Sequence, residues 1–268
     1  MNLDGKRVLI TGGSSGIGLA TAETMLSKGA RVVITGRRHD VLAAALHQLR
    51  AGNAPVDGVV ADVVTDAGRM TTLKVGLEKL GGLDILVNNA GGVRAGRLEN
   101  TSEGEIRAMI EVDLVAPILL TRAALTHLRA SHSGLVVNIT SSIALLGVPF
   151  YATYAAAKAG FAHFSEALRR ELKGEGVSVL TVYPAGTDTP MMKSSRAGPE
   201  LGFTLEPASA VAEAIVEGIR NGALEVIRGG EARAQMVELN WNDPAALDKR
   251  FADLKPALDE AVRDHSAL

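Results

Sequence analysis

The 268-residue chain is 47% hydrophobic and 22% charged, with 28 Lys+Arg against 30 Asp+Glu and a formal charge of −2. That length fits one large domain, the apolar content excludes disorder, and the missing basic surplus excludes nucleic acid as an expected partner. Cysteine is absent, which excludes disulfides, thiolate catalysis and sulfur-ligated metal sites. The apolar run Val8–Ile10 is too short for a signal-peptide core, and no stretch reaches the roughly eighteen apolar residues of a spanning helix. A cytoplasmic protein with no membrane partner is the expectation. The unusual numbers are 29 glycines and 3% aromatics, which suggest close backbone packing around a ligand or many tight turns.

Taken in chain order, Arg7–Thr11 is a short apolar strand, followed by a glycine turn and a helix to Lys28 that Gly29 ends. Arg31–Thr35 is a second strand, Val41–Arg50 a helix, and Val56–Asp62 a third strand. Asp66–Leu80 is a helix closed by Gly81-Gly82, and Asp84–Asn88 a fourth strand. A long helical region, Glu103–Arg129, precedes the fifth strand, Gly134–Thr140, and a helix over Tyr154–Lys173. Val177–Tyr183 is the sixth strand, Pro207–Arg220 a helix, Leu224–Ile227 a short seventh strand, and Pro244–Arg263 a terminal helix. Strands alternating with helices predict βαβ units, and near-continuous apolar strands predict a sheet covered on both faces. The reading is one doubly wound α/β domain with a parallel sheet. Ligands of such sheets bind beyond the carboxyl ends of the strands.

The first such segment is Gly12-Gly13-Ser14-Ser15-Gly16-Ile17-Gly18. Glycines allow a sharp turn and a close approach of backbone to a pyrophosphate, and the helix that follows offers free N–H groups and a positive dipole end. The same residues satisfy the G-x-S-x-G elbow of a serine hydrolase, but only one strand precedes them and no acid and His follow in the order that mechanism needs. The second strand ends without the acidic residue that would bind the ribose hydroxyls of NAD. Arg37 and Arg38 stand there instead, and guanidinium groups suit a 2′-phosphate, favouring NADP(H) over NAD(H).

After the fifth strand come Ser141-Ser142 and then Tyr154-Ala155-Ala156-Ala157-Lys158. Tyr and Lys four residues apart share one helix face. A phenol titrates near about 10, too high for proton exchange at neutral pH, and a neighbouring ammonium is expected to pull it down. A hydroxyl from Ser141 could bond a carbonyl oxygen as charge develops there.

With these residues in place, the chain resembles the short-chain dehydrogenases/reductases of the core 250-residue type over residues 4–230. The motifs are Thr11-Gly12-x3-Gly16-x-Gly18, Asp62-Val63, Asn88-Asn89-Ala90-Gly91, Ser141 and Tyr154-x3-Lys158. The resemblance implies a Rossmann-like domain over 1–230 whose seven strands lie in the order 3-2-1-4-5-6-7, with 231–268 as a helical tail of the same domain. It implies hydride transfer between NADP(H) and a carbonyl or secondary alcohol substrate. Tyr154 would act as general acid or base, Lys158 would hold the nicotinamide ribose, and Ser141 would polarise the substrate. Ser14, Ser15 and Ile17 belong to the phosphate turn. Asp62 and Val63 would contact adenine, and Asn88, Ala90 and Gly91 would line the cofactor. Pro184, Gly186, Thr187 and Thr189 would meet the nicotinamide end. A homo-oligomer, dimer or tetramer, is also implied.

Two departures stand out. Asp113 replaces the family's Asn in the catalytic set, so a carboxylate beside Lys158 is expected to alter the titration of the whole group. The family's Pro-Gly reads Pro184-Ala185-Gly186. The substrate loop is expected over residues 190–206, with Met191, Met192, Phe203 and Leu205 as an apolar lining, and Val93, Arg94, Phe150 and Tyr151 from neighbouring loops. Arg94 reads as a surface residue or as a contact for an anionic substrate. The tail reads as a surface helix, with a cover over the substrate cleft as the alternative. Six histidines lack metal-ligand spacing, so no catalytic metal is expected. A cofactor-binding protein without turnover is the second functional reading.

Overall fold

The computed structural model of the protein describes residues 1–51 and 54–268. The strands β1 (Arg7–Ile10), β2 (Arg31–Gly36), β3 (Val56–Val60), β4 (Ile85–Asn88), β5 (Gly134–Ile139) and β6 (Val177–Tyr183) follow the apolar runs of the sequence. Two short strands, β7 (Thr187–Asp188) and β8 (Glu206–Pro207), pair with each other outside the main sheet. The last strand, β9 (Glu225–Ile227), joins the edge, so the parallel sheet runs β3-β2-β1-β4-β5-β6-β9. This is the expected order, the seventh strand of the sheet being the ninth in the chain.

The period-two geometry of strands explains the two cores. Val8, Ile10, Val32, Ile34, Ile85 and Val87 face one side, where α1 (Gly16–Leu26), α2 (His39–Leu49) and α7 (Ala208–Asn221) cover them. Leu9, Val33, Leu86 and Val136 face the other, against α3 (Asp66–Leu80), α5 (Ala116–Ala130) and α6 (Ala152–Glu171). Each fully buried aliphatic side chain contributes about 1.5–3 kcal/mol. Helix ends follow local chemistry. The Thr65 hydroxyl accepts from Gly68 N at the start of α3, and Gly81 closes that helix with φ 74°. Ser102 and Glu105 form a capping box on α4 (Glu103–Ile110).

The long helix expected over Glu103–Arg129 is interrupted. Between α4 and α5, Glu111–Val115 form a π turn. This widened turn carries Asp113, which is buried against the carboxyl end of β4.

The tail is two helices, where the sequence suggested one. α8 (Gly230–Asn242) follows β9 directly, and α9 (Pro244–Val262) begins at an Asp243 cap. Nor is the tail a surface appendage. Leu258 and Val262 pack with Val93, Ile143 and Tyr151. Residues beyond α9 then pair with the segment after β4: Val93 N donates to Ala267 O, and Ala267 N to Val93 O. None of the described helices is long and apolar enough to cross a membrane.

Candidate active site

One cavity of about 550 Å³ runs along the carboxyl ends of the strands, from Arg37 and Arg38 past Tyr154 to α8. Its phosphate end is built by the glycine turn. Gly12 holds φ 63°, and a Cβ there would come within 2.8 Å of Ala90 Cα, so the turn and the loop after β4 touch backbone to backbone. Asn89 locks this contact: its Nδ2 donates to Thr11 O at 2.9 Å and Gly12 O at 3.0 Å. The Thr11 hydroxyl in turn accepts from the backbone of Asn89 and Ala90. Ser14, Ser15, Gly16 and Ile17 line the cavity at the N-terminus of α1, where unpaired N–H groups favour an anion. Ser14 has no histidine as a hydrogen-bond partner among the described residues, so the turn lacks the base a hydrolase elbow needs.

Arg37 and Arg38 are exposed at the end of β2, and neither has an ion-pair partner among the described residues. Asp62 and Val63 line the same end after β3, with Asp62 Oδ1 accepting from Val64 N. Ala90 and Gly91 line the middle, and Pro184, Gly186, Thr187 and Thr189 form the opposite wall.

Two expected cofactor contacts have other roles. Gly18 does not line the cavity. A Cβ there would come within 2.4 Å of Asn89 Nδ2 and 2.5 Å of Gly12 O, so the residue is small to let α1 pack beneath the turn. Asn88 turns into the core, where its Nδ2 donates to Thr121 Oγ1 and Asn138 Oδ1, both at 2.8 Å. Asn138 continues to Ser165, so this buried chain ties β4, β5, α5 and α6 together. The signal was available: Asn88 and Asn138 stand opposite each other in register. Asn88→Ala is expected to cost about 1–3 kcal/mol in urea unfolding, because Asn138 Oδ1 loses its donor. Tighter or weaker NADPH binding at undiminished stability would return Asn88 to the cofactor set.

Ser141, Tyr154 and Lys158 come together where β5 and α6 meet. Ser141 caps the turn after β5, its Oγ accepting from Ile143 N. Tyr154 and Lys158 project from the first turns of α6, with Lys158 Nζ 5.7 Å from the Tyr154 ring centre. Ser141, Tyr154 and Lys158 all line the cavity. Lys158 Nζ also lies 3.0 Å from Asp113 Oδ1 and donates to Ile139 O at 3.3 Å. Gly92 N donates to the same Asp113 oxygen. A Cβ on Gly91 would come within 2.6 Å of Asp113 Oδ1, so the carboxylate has room only beside a glycine. Asp113 itself does not line the cavity and reaches it only through its contact with Lys158.

The electrostatics differ from the simple pairing expected. Burial pushes the Tyr154 phenol above its ordinary value, Lys158 opposes this, and the Asp113 carboxylate reinforces it. Burial opposes the Lys158 ammonium, but the negative charge of Asp113 and of an ionised Tyr154 outweighs it and holds Lys158 up. Burial likewise raises the Asp113 carboxyl against the pull of Lys158. The ammonium is thus shared between two anionic groups, and its leverage on the phenol is reduced.

The side of the cavity expected to take the substrate is lined by Val93, Tyr151, Met191, Met192 and Phe203. Tyr151 stacks on Phe203, with ring centres 6.0 Å apart. Phe150 is not part of the lining: its backbone takes φ 71° and its ring lies under Arg97. Leu205 is also outside the lining and exposed. Arg94 is engaged by Glu105 at 2.8 Å and by Arg263 O, so it is not free for a substrate. Sequence reasoning missed what the tail brings. His265 is buried, its Nδ1 is 3.0 Å from Ser194 Oγ, and it faces the cavity beside Tyr151. Arg233, Met236 and Arg250 complete that end.

The short chain dehydrogenase family model matches residues 6–200. The ketoacyl reductase HetN of Nostoc sp. (strain PCC 7120) is 34% identical over 227 residues, which cover 84% of this chain and 79% of HetN. A short chain dehydrogenase/reductase from Burkholderia phymatum, solved in complex with NAD, superposes with a TM-score of 0.84 at 25% identity over 92% of this chain and 96% of that one. A short chain dehydrogenase from Burkholderia cenocepacia, solved in complex with NADP, gives 0.79 at 31% identity over 86% and 99%. The motifs in the sequence, the sheet order, the cavity at its carboxyl edge and these relatives agree: the chain belongs to the short-chain dehydrogenases/reductases, oxidoreductases that use a nicotinamide cofactor.

Proposed function

We propose that the protein is an NADP(H)-dependent reductase of a ketoacyl or related carbonyl compound, with Tyr154 as the proton donor. The observation that carries this reading is the convergence of Ser141, Tyr154 and Lys158 on a cavity that continues to the glycine turn and to Arg37 and Arg38. The groove fits a dinucleotide. Its phosphate end is backbone at a helix start, and its far end carries two arginines without ion-pair partners among the described residues. When bound there, NADPH supplies a hydride to the carbonyl carbon. Ser141 Oγ and Tyr154 Oη donate to the carbonyl oxygen as it gains charge, and Tyr154 passes its proton to that oxygen. Lys158 compensates the phenolate that remains and holds the ribose. In alcohol oxidation the same groups run in reverse.

Loss of NADPH absorbance with a β-ketoacyl thioester tests the reading. A protein that binds NADPH but reduces no member of a ketone and ketoacyl panel would be a cofactor-binding protein without turnover. The observation favouring that second reading is Asp113, which divides the charge of Lys158.

Cofactor choice is a separate expectation. Replacing Arg37 and Arg38 together by Ala is expected to lower the ratio of kcat/KM for NADPH to that for NADH by about tenfold or more, the value of one or two charge-assisted hydrogen bonds. An unchanged ratio would remove these arginines from cofactor selection.

A further inference from the structure

The cavity has an uneven charge. Among its described lining residues, Asp62 at the adenine end is the single acid, whereas Arg37, Arg38, Lys158, Arg233 and Arg250 are basic. Lys158 is answered by Asp113, and Arg37 and Arg38 belong to the cofactor end. That leaves Arg233 and Arg250, both contributed by the tail, at the other end.

Arg233 projects from the first turn of α8. Its stem packs close to Gly229 and Ala185: a Cβ on Gly229 would come within 3.0 Å of Arg233 Cβ and 3.2 Å of Ala185 Cβ. The side chain is partly buried and has no hydrogen-bond or ion-pair partner among the described residues. Desolvation alone acts on it, pulling its pKa below the ordinary arginine value, with no carboxylate to compensate. Nearby acids are engaged elsewhere. Glu206 pairs with Arg228 at 2.6 Å, and Glu231 accepts from Gln235. A guanidinium held in a cavity without a counter-charge is costly, and an anionic ligand group removes that cost. Arg250, exposed on α9, lines the same end and also has no ion-pair partner among the described residues. The two guanidiniums together match the charge of a phosphate monoester, and the guanidinium fork matches its oxygens.

We propose that Arg233, assisted by Arg250, receives a phosphate group carried on the carbonyl substrate, remote from the carbonyl that reacts at Tyr154. The inference rests on the reductase reading above and assigns its substrate a phosphate-bearing arm. The tail helices thereby select substrates, while the core of the fold performs the chemistry.

The test compares two thioesters that differ only in the phosphate: acetoacetyl-pantetheine and its 4′-phosphate, each reduced with saturating NADPH. The unmodified protein is expected to favour the phosphorylated thioester in kcat/KM, mainly through KM, and added salt is expected to erode that preference. Arg233→Met keeps much of the apolar stem and is expected to cut the preference by about tenfold or more. Arg233→Lys is expected to restore part of it. An unchanged preference in Arg233→Met overturns the proposal, as does no preference in the unmodified protein. A raised NADPH dissociation constant with the preference intact also overturns it, because the anion would then be the cofactor's. If Arg233→Met does not fold, the salt dependence of the unmodified protein decides. If neither thioester is reduced, the reductase reading fails for this substrate class. The phosphate site is then read by calorimetric titration of the NADP-loaded protein with 4′-phosphopantetheine against pantetheine. Equal binding of the two overturns it.

Discussion

Tyr154→Phe is expected to lower kcat for carbonyl reduction by about 10²–10⁴-fold, the usual worth of a positioned general acid. The change removes one oxygen and leaves the ring against Tyr151, whose centre lies 6.4 Å away, so the fold and the cofactor groove should persist. NADPH should still raise the melting temperature of the variant, since the glycine turn and the arginines of β2 are untouched. The kinetic loss and the retained thermal shift must appear together. Full activity in the variant would move the proton donor elsewhere, and a lost thermal shift would mean that the phenol is needed for binding.

The second large effect concerns Asp113. Its side chain is fully buried and Lys158 is 7% exposed, at 3.0 Å. Asp113→Ala removes the counter-charge and leaves an ammonium in a desolvated site, which is expected to cost about 3–5 kcal/mol in denaturant unfolding. Asp113→Asn keeps the shape and separates charge from packing. The carboxylate raises the phenol of Tyr154, so its loss lets the full charge of Lys158 favour the phenolate. The Tyr154 value therefore falls. In alcohol oxidation the active form is the phenolate, so the acid limb of the pH–rate curve should move to lower pH. In reduction the active form is the phenol, so the alkaline limb should also move to lower pH. A pH profile identical to that of the unmodified protein would mean that Asp113 does not reach the reacting group.

The strands were readable because burial on both faces demands runs such as RVLI and RVVITG, which little else in a globular chain requires. The glycine turn and the Tyr154–Lys158 spacing were readable because each is local. What was misread depends on direction or on distance along the chain. Asn88 and Asn89 are adjacent, and strand alternation sends one inward and the other to the glycine turn. Phe150 and Tyr151 are likewise adjacent, but a left-handed backbone at Phe150 turns its ring toward Arg97. The π turn leaves no trace in composition, since it is one residue of slack in an otherwise helical pattern. Helix α8 has no buried residue and no clear apolar face, which is why the tail gave a single helix. The arrival of His265 at Ser194 spans 71 residues, and nothing in the local sequence announces it.

The π turn at Glu111–Val115 has a consequence for which length changes the gene can tolerate. A π turn fits one residue more than an α turn into nearly the same rotation, so deleting one residue between 111 and 115 would let α4 and α5 fuse into one regular helix with both kept on their faces. With α5 docked on the sheet through Leu120, Ala124 and Leu128, α4 keeps its place and Met109 stays buried as it is now. The loss falls on the widened turn that carries Asp113 to Lys158. A single-codon deletion here should therefore leave the fold standing while disturbing that pair, whereas the same deletion inside α5 would turn its buried face by about 100° and out of the core. In this part of the chain the spacing between residues, as much as their identity, is what inheritance must preserve.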